Sequence, residues 1–159
     1  MVQFAEIVAE DLLFTLGWYD AEHTILILDV GKPWYWEDAY RAIDALNRAI
    51  LAENHDICSI YYLHGAASIL PKRLALPNIG RLLAEDVENE RKIVFVGSPL
   101  LQSFIDLTYR TLRVKQERAK FHFAKTLDEA IAIGETVRAA YMQKQASISN
   151  PPDSPELPV

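Results

Sequence analysis

Hydrophobic and polar positions change their period several times along the chain. Leu12–Trp18 and Thr24–Val30 are short apolar runs on either side of Tyr19–His23 (YDAEH), a polar connection of hairpin length. Val2–Val8 reads as an earlier edge strand. From Trp36 to Ala52 the apolar residues Trp36, Ala39, Tyr40, Ile43, Leu46 and Ile50 recur three and four apart, which draws one stripe along a helix. Pro33 lies just ahead, and Glu37 and Asp38 place negative charge at the positive end of the helix dipole. Ile57–Leu63 (ICSIYYL) is a strand rich in β-branched and aromatic residues. A loop with Pro71 and Pro77 then leads to a second helix over Asn78–Asn89.

The pattern repeats once more. Lys92–Val96 (KIVFV) is a buried strand that ends in Gly97-Ser98-Pro99, a helix start in which Ser98 caps exposed amides and Pro99 suits the first helical position. That third helix continues through Leu101, Phe104, Ile105, Thr108 and Leu112. Ala119–Phe123 alternates Phe121 and Phe123 inward as a short strand. Thr126-Leu127-Asp128-Glu129 opens the final helix with a capping box, and Leu127, Ala130, Ile131, Gly134, Val137 and Tyr141 form its buried stripe. Strands separated by helices need crossover connections, so the sheet is expected to be mostly parallel, with antiparallel edges from the N-terminal hairpin. The fold expected is a single α/β domain over residues 1–145. Residues 146–159 hold four of the eight prolines and read as a disordered tail.

Composition narrows the function. The 159 residues are 50% hydrophobic and 24% charged, enough for one core and no second full domain. A net charge of −6 argues against nucleic acid as a partner, because affinity for phosphate needs clustered Lys and Arg. The basic stretch Arg110–Lys125 is offset by the acidic run Glu85, Asp86, Glu88 and Glu90. No run approaches the ~18 apolar residues of a membrane span, and the N-terminus has no secretory pattern. Cys58, the single cysteine, excludes an intrachain disulfide and a cysteine-built metal site, so a reducing cytoplasm is expected. No cofactor or metal is called for, and a homodimer through an exposed sheet edge is the default expectation.

Candidate chemistry is sparse. The chain has no G-x-x-x-x-G-K-[ST] loop, no G-x-G-x-x-G turn and no G-x-S-x-G elbow. Asp29 lies near the C-terminal end of an apolar strand and Gly97-Ser98 at the end of another, the edge where open α/β sheets bind ligands. These three are the ligand-site candidates, for a lipid or an anion, with a helix cap at Ser98 and a turn cap or a pair with Lys32 at Asp29 as the plainer readings. A receiver-like plan would use Asp29, Ser98 and Lys125, but Ile57–Leu63 ends without the carboxylate that accepts phosphate. His64 and Ser68 lie four apart with no orienting acid supplied by a motif. Cys58 reads as a buried structural thiol. Trp34 and Tyr35, beside the core-facing Trp36, serve either as a staple at the helix start or as an exposed anchor for a partner.

The hairpin followed by βα units, the Trp34-Tyr35-Trp36-Glu37-Asp38 helix start, KIVFVGSP and FHFAKTLDEAIA together resemble the STAS/SpoIIAA-like group, the anti-sigma-factor antagonists and their distant relatives. The resemblance implies a non-catalytic regulatory or protein-interaction domain with a protein partner, its surface formed by Trp34, Tyr35, His64 and Ser68. In the antagonist branch a kinase phosphorylates a serine in an Asp-Ser pair after the central strand. Here no Asp-Ser pair exists, and Ser68 is the nearest positional substitute.

Overall fold

The computed structural model describes residues 1–68, 71, 75–82, 86–111 and 118–150. The six strands β1 (Glu6–Glu10), β2 (Phe14–Trp18), β3 (Ile25–Val30), β4 (Ile57–Leu63), β5 (Glu90–Val96) and β6 (Phe121–Ala124) form one sheet in chain order. β1, β2 and β3 pair antiparallel; from β3 to β6 every pairing is parallel. The helices are α1 (Trp36–Leu51), α2 (Ala75–Leu82), α3 (Pro99–Thr111) and α4 (Leu127–Ser149). This is the expected α/β class with a mixed sheet.

Strand order decides the layering. Each step from β3 to β6 moves one place in the same direction, and parallel crossovers are right-handed. The connecting helices α1, α2 and α3 therefore all land on one face of the sheet. α1 packs there on Leu16, Trp18, Leu26 and Leu28, while α2 and α3 pack on Ile93, Phe95 and Phe121. α4 follows the last strand and is free of that constraint; it returns across the opposite face, over Ile25, Ile27, Cys58, Ile60 and Val94. Alternation along β3 gives each layer its share, with Ile25 and Ile27 under α4 and Leu26 and Leu28 under α1. Gly134 lets α4 come close, since a Cβ there would stand 3.1 Å from Ile25.

Several boundaries differ from the sequence reading, each for a local reason. β1 begins at Glu6 because Val2 and Phe4 are used elsewhere: both pack on the α4 face, with Phe4 filling the space above Gly17. α2 starts at Ala75 and takes Pro77 into its first turn, where a missing N–H breaks no intrahelical bond. β5 begins at Glu90, two residues earlier than expected. α4 runs through Ser149, so residues 146–149 are helical and not part of a tail. Asn150, the residue before Pro151, leaves the helical region (φ −123°, ψ 74°), as a residue preceding proline must. The prolines at 151–159, the basic residues Arg113 and Lys115, and Glu85 lie outside the described residues.

The β2–β3 turn is held by two acid clusters. Asp20, buried, accepts from the Thr24 hydroxyl (2.6 Å) and from the amides of Thr24 and Ile25. His23 takes a left-handed conformation (φ 57°), stacks on Trp18 and bridges Glu53 (2.7 Å) and Glu6 (2.8 Å). One imidazole thus ties the hairpin to the edge strand and to the segment after α1. Burial disfavours the charged ring, but the hydrogen bonds and charges of Glu53 and Glu6 outweigh it and raise the His23 pKa above its ordinary value. The folded state therefore holds this proton more tightly than the unfolded chain. Its contribution is complete below about pH 6.5 and is lost as pH rises through the raised value. Denaturant unfolding between pH 5.5 and 8.5 is expected to show this loss, and His23→Asn, which tolerates the same backbone, is expected to flatten that component.

Candidate functional site

The C-terminal rim of the sheet carries the residues singled out from sequence. Asp29 ends β3 and His64 follows β4, and the two meet in a 2.6 Å bond between Asp29 Oδ1 and His64 Nε2. The imidazole stacks on Tyr62 (4.4 Å between ring centroids) and sits where a Cβ on Gly31 would come within 2.7 Å of it. Gly65 then turns the chain with φ +56°, a conformation suited to glycine. Asp29 is thus matched with His64, a partner 35 residues away, and not with Lys32. Ser98 starts α3 and its Oγ accepts from the Leu101 amide at 3.4 Å, the cap role; Gly97 beside it is exposed.

These groups share a rim without forming a crevice. Ligand clefts at such edges open where strand order reverses and successive helices leave to opposite faces. Here the order never reverses, so Asp29 and Gly97-Ser98 stand two strands apart, about 10 Å, on a continuous edge. The same order separates the fold from receiver-like doubly wound sheets, whose order is 2-1-3-4-5. No hydroxyl or thiol among the described residues bonds to His64 to complete a nucleophile–base pair, and none of their His, Cys, Asp and Glu side chains cluster in threes fit for a metal ion. Cys58 is buried in β4, and burial pushes its thiol up to about 12.

Trp34 and Tyr35 divide between the two readings made for them. Trp34 packs against both clusters on the α1 side, meets Trp36 edge to face and donates its indole N–H to the Ala67 carbonyl at 2.9 Å. It is a structural staple and not an exposed anchor. Tyr35 remains 73% exposed at the head of α1, where its amide donates to Asp38. Ser68 closes the 3₁₀ turn Gly65–Ser68, and its side chain lies outside the described residues.

The most site-like feature was not singled out from sequence. Between α1 on one side and α2 and α3 on the other, the described residues line a partly open cavity of about 110 Å³. Its walls are apolar and aromatic: Phe14, Leu28, Trp36, Tyr61, Phe95 and Ile105 among others, with the small side chains Ala39 and Ala42 leaving room on the α1 wall. Glu90 also lines it, only 3% exposed. One carboxyl oxygen accepts a short hydrogen bond from the Ser59 hydroxyl, and no described residue bonds to the other. Burial raises the Glu90 pKa to about 7; the nearby Asp86 charge adds to this, while the Ser59 bond and Lys120 work against it. Burial and the Glu90 charge likewise push the Tyr61 phenol well above its usual range, against a hydrogen bond with Ser59.

A β-bulge explains why Glu90 points inward. Counting back from Phe95 and Ile93 in steps of two, Arg91 would share their face. The register instead shifts where Ile57 pairs with Glu90 and Cys58 with Lys92, leaving Arg91 as the extra residue. That insertion inverts the parity and turns Glu90 toward Ser59, while Lys92 reaches Thr136 on α4.

Two outcomes follow. Because the folded Glu90 has its pKa raised from 4.5 to about 7, its ionisation costs no stability below pH 4.5, destabilises progressively between pH 4.5 and 7, and levels off above. Glu90→Gln, which keeps an oxygen for Ser59, is expected to be more stable than the native chain above pH 7, by up to about 3 kcal/mol, and equal to it below pH 4.5. Urea titrations at the two ends of that range measure it, and the His23 variant separates the second titration of the same sign. Trp34→Ala should cost about 2–4 kcal/mol, whereas Tyr35→Ala should stay within about 0.5 kcal/mol of the native chain, both read from chemical denaturation.

Among the described residues no helix is long and apolar enough to cross a membrane. Compared with known proteins, the chain matches no family model, no curated protein and no solved structure.

Proposed function

We propose that this chain is a non-catalytic α/β domain that binds a small, largely apolar molecule in the cavity between α1 and the α2–α3 pair. The observation that carries this reading is the pairing of apolar walls with a buried carboxyl whose second oxygen has no bond to a described residue. Apolar pockets of this order of size take up small hydrocarbon guests. Leaving a polar atom unmatched inside a protein costs free energy that a ligand can recover. The site is displaced from the Asp29, Gly97 and Ser98 rim, where the strand order leaves no cleft. The setting is a reducing one, the cytoplasm, a placement supported by the lone buried cysteine.

A second reading, a STAS-like regulatory domain that acts through a protein partner, is supported by Tyr35. This large side chain is left exposed on the helix whose inner face lines the cavity, so partner contact and ligand occupancy would share α1.

Small apolar molecules, benzene and isobutanol as probes, are expected to raise the melting temperature of the native chain and to show saturation-transfer NMR signals. Ala42→Leu, which fills the α1 wall, is expected to abolish both effects. Absence of any probe binding to the native, folded chain would overturn the ligand-binding reading.

A further inference from the structure

We infer that the cavity selects an amine: a small organic cation whose ammonium group meets the unmatched oxygen of Glu90 while its hydrocarbon part lies among the aromatic walls. This inference rests on the cavity-binding reading and specifies its ligand class.

Charge comes first. Among the described residues, the ionisable side chains lining the cavity are Glu90, Asp38 and the phenol of Tyr61, with no Lys, Arg or His. An anionic guest would enter against two carboxylates, with no counter-charge among the described lining residues. Lys120, a cation whose charge acts on Glu90, is bonded to Asp86 at 2.7 Å. Asp38 is partly answered already, by the Tyr35 amide and by Arg41. Glu90 keeps one oxygen with no bond to a described residue.

Hydrogen bonding points the same way. An ionised carboxylate only accepts, so its free oxygen calls for a donor on the guest. Ser59 already donates to the first oxygen. A primary ammonium supplies donors and charge together, and charge-assisted bonds are the stronger kind. Trp36 and Tyr61 add aromatic rings to the lining, and a ring face open to the guest attracts a cation. Volume sets the size. About 110 Å³ suits a small guest and limits the hydrocarbon part to about four to six carbons.

Three probes with one branched skeleton isolate the charge: isobutylamine, isobutanol and isobutyrate. Calorimetric or NMR titration of the full chain at pH 8.5 is expected to show isobutylamine binding at least about tenfold more tightly than isobutanol, with isobutyrate weakest. Glu90→Gln is expected to reduce the amine preference to less than about threefold while isobutanol affinity stays within about twofold. On the native chain, which needs no variant to fold, lowering the pH from 8.5 to 5.5 protonates Glu90 and leaves the amine charged; the preference is expected to shrink, with isobutanol unaffected. If isobutanol binds and the amine shows no preference, or a preference that Glu90→Gln and pH leave unchanged, the amine inference is overturned and the cavity-binding reading stands. If none of the three binds, both fall.

Discussion

The handedness of the crossover is the constraint on which the rest of this structure depends. With β3 to β6 laid down one beside the next, a fixed hand sends α1, α2 and α3 to the same side of the sheet. Three helices then compete for one face, and the inner side chains determine whether the row closes. Ala39 and Ala42 on α1 do not fill the gap over β4, and the cavity is the result. The same rule removes the rim crevice that alternating helices would have opened above Asp29 and Gly97.

Within that frame, polar groups divide into those that hold the fold and those that do not serve it. Asp20 answers the Thr24 and Ile25 amides, His23 joins Glu6 and Glu53, and Asp29 fixes His64, each with its partners matched. Glu90 differs. It is as buried as Asp20, yet one of its oxygens is bonded only to Ser59, the other has no bond to a described residue, and the side chain lines a largely apolar cavity. That carboxyl, beside apolar walls, is the feature on which the ligand-binding proposal rests.

Much of the architecture was legible in the sequence, and the exceptions have physical causes. Ile57–Leu63 was read with the boundaries it has, because a β-branched and aromatic run between polar flanks has few alternatives. Trp36 as the start of α1 and the Thr126 cap of α4 were equally readable; the Glu129 carboxylate, however, accepts from the Lys125 amide and not from that of Thr126. The site was much less legible. Glu90 was read only as part of an acidic run that offsets a basic stretch, and a one-residue bulge, invisible in residue types, reverses its face. Asp29 and His64 were each noticed but assigned to different surfaces, since only the parallel register of β3 and β4 brings them together. Trp34 and Tyr35 are neighbours whose opposite fates depend on the Ala67 carbonyl, which no local pattern announces.

The position of α4 has a consequence for how the molecule is made. One complete side of the sheet, from Ile25 through Cys58 to Val94, is roofed chiefly by residues after Thr126. A domain folds as a unit during synthesis, so that side of the sheet cannot be covered until the residues of α4 have left the ribosome. The apolar side chains made before them wait without their roof, and that interval is when a chaperone would be needed most.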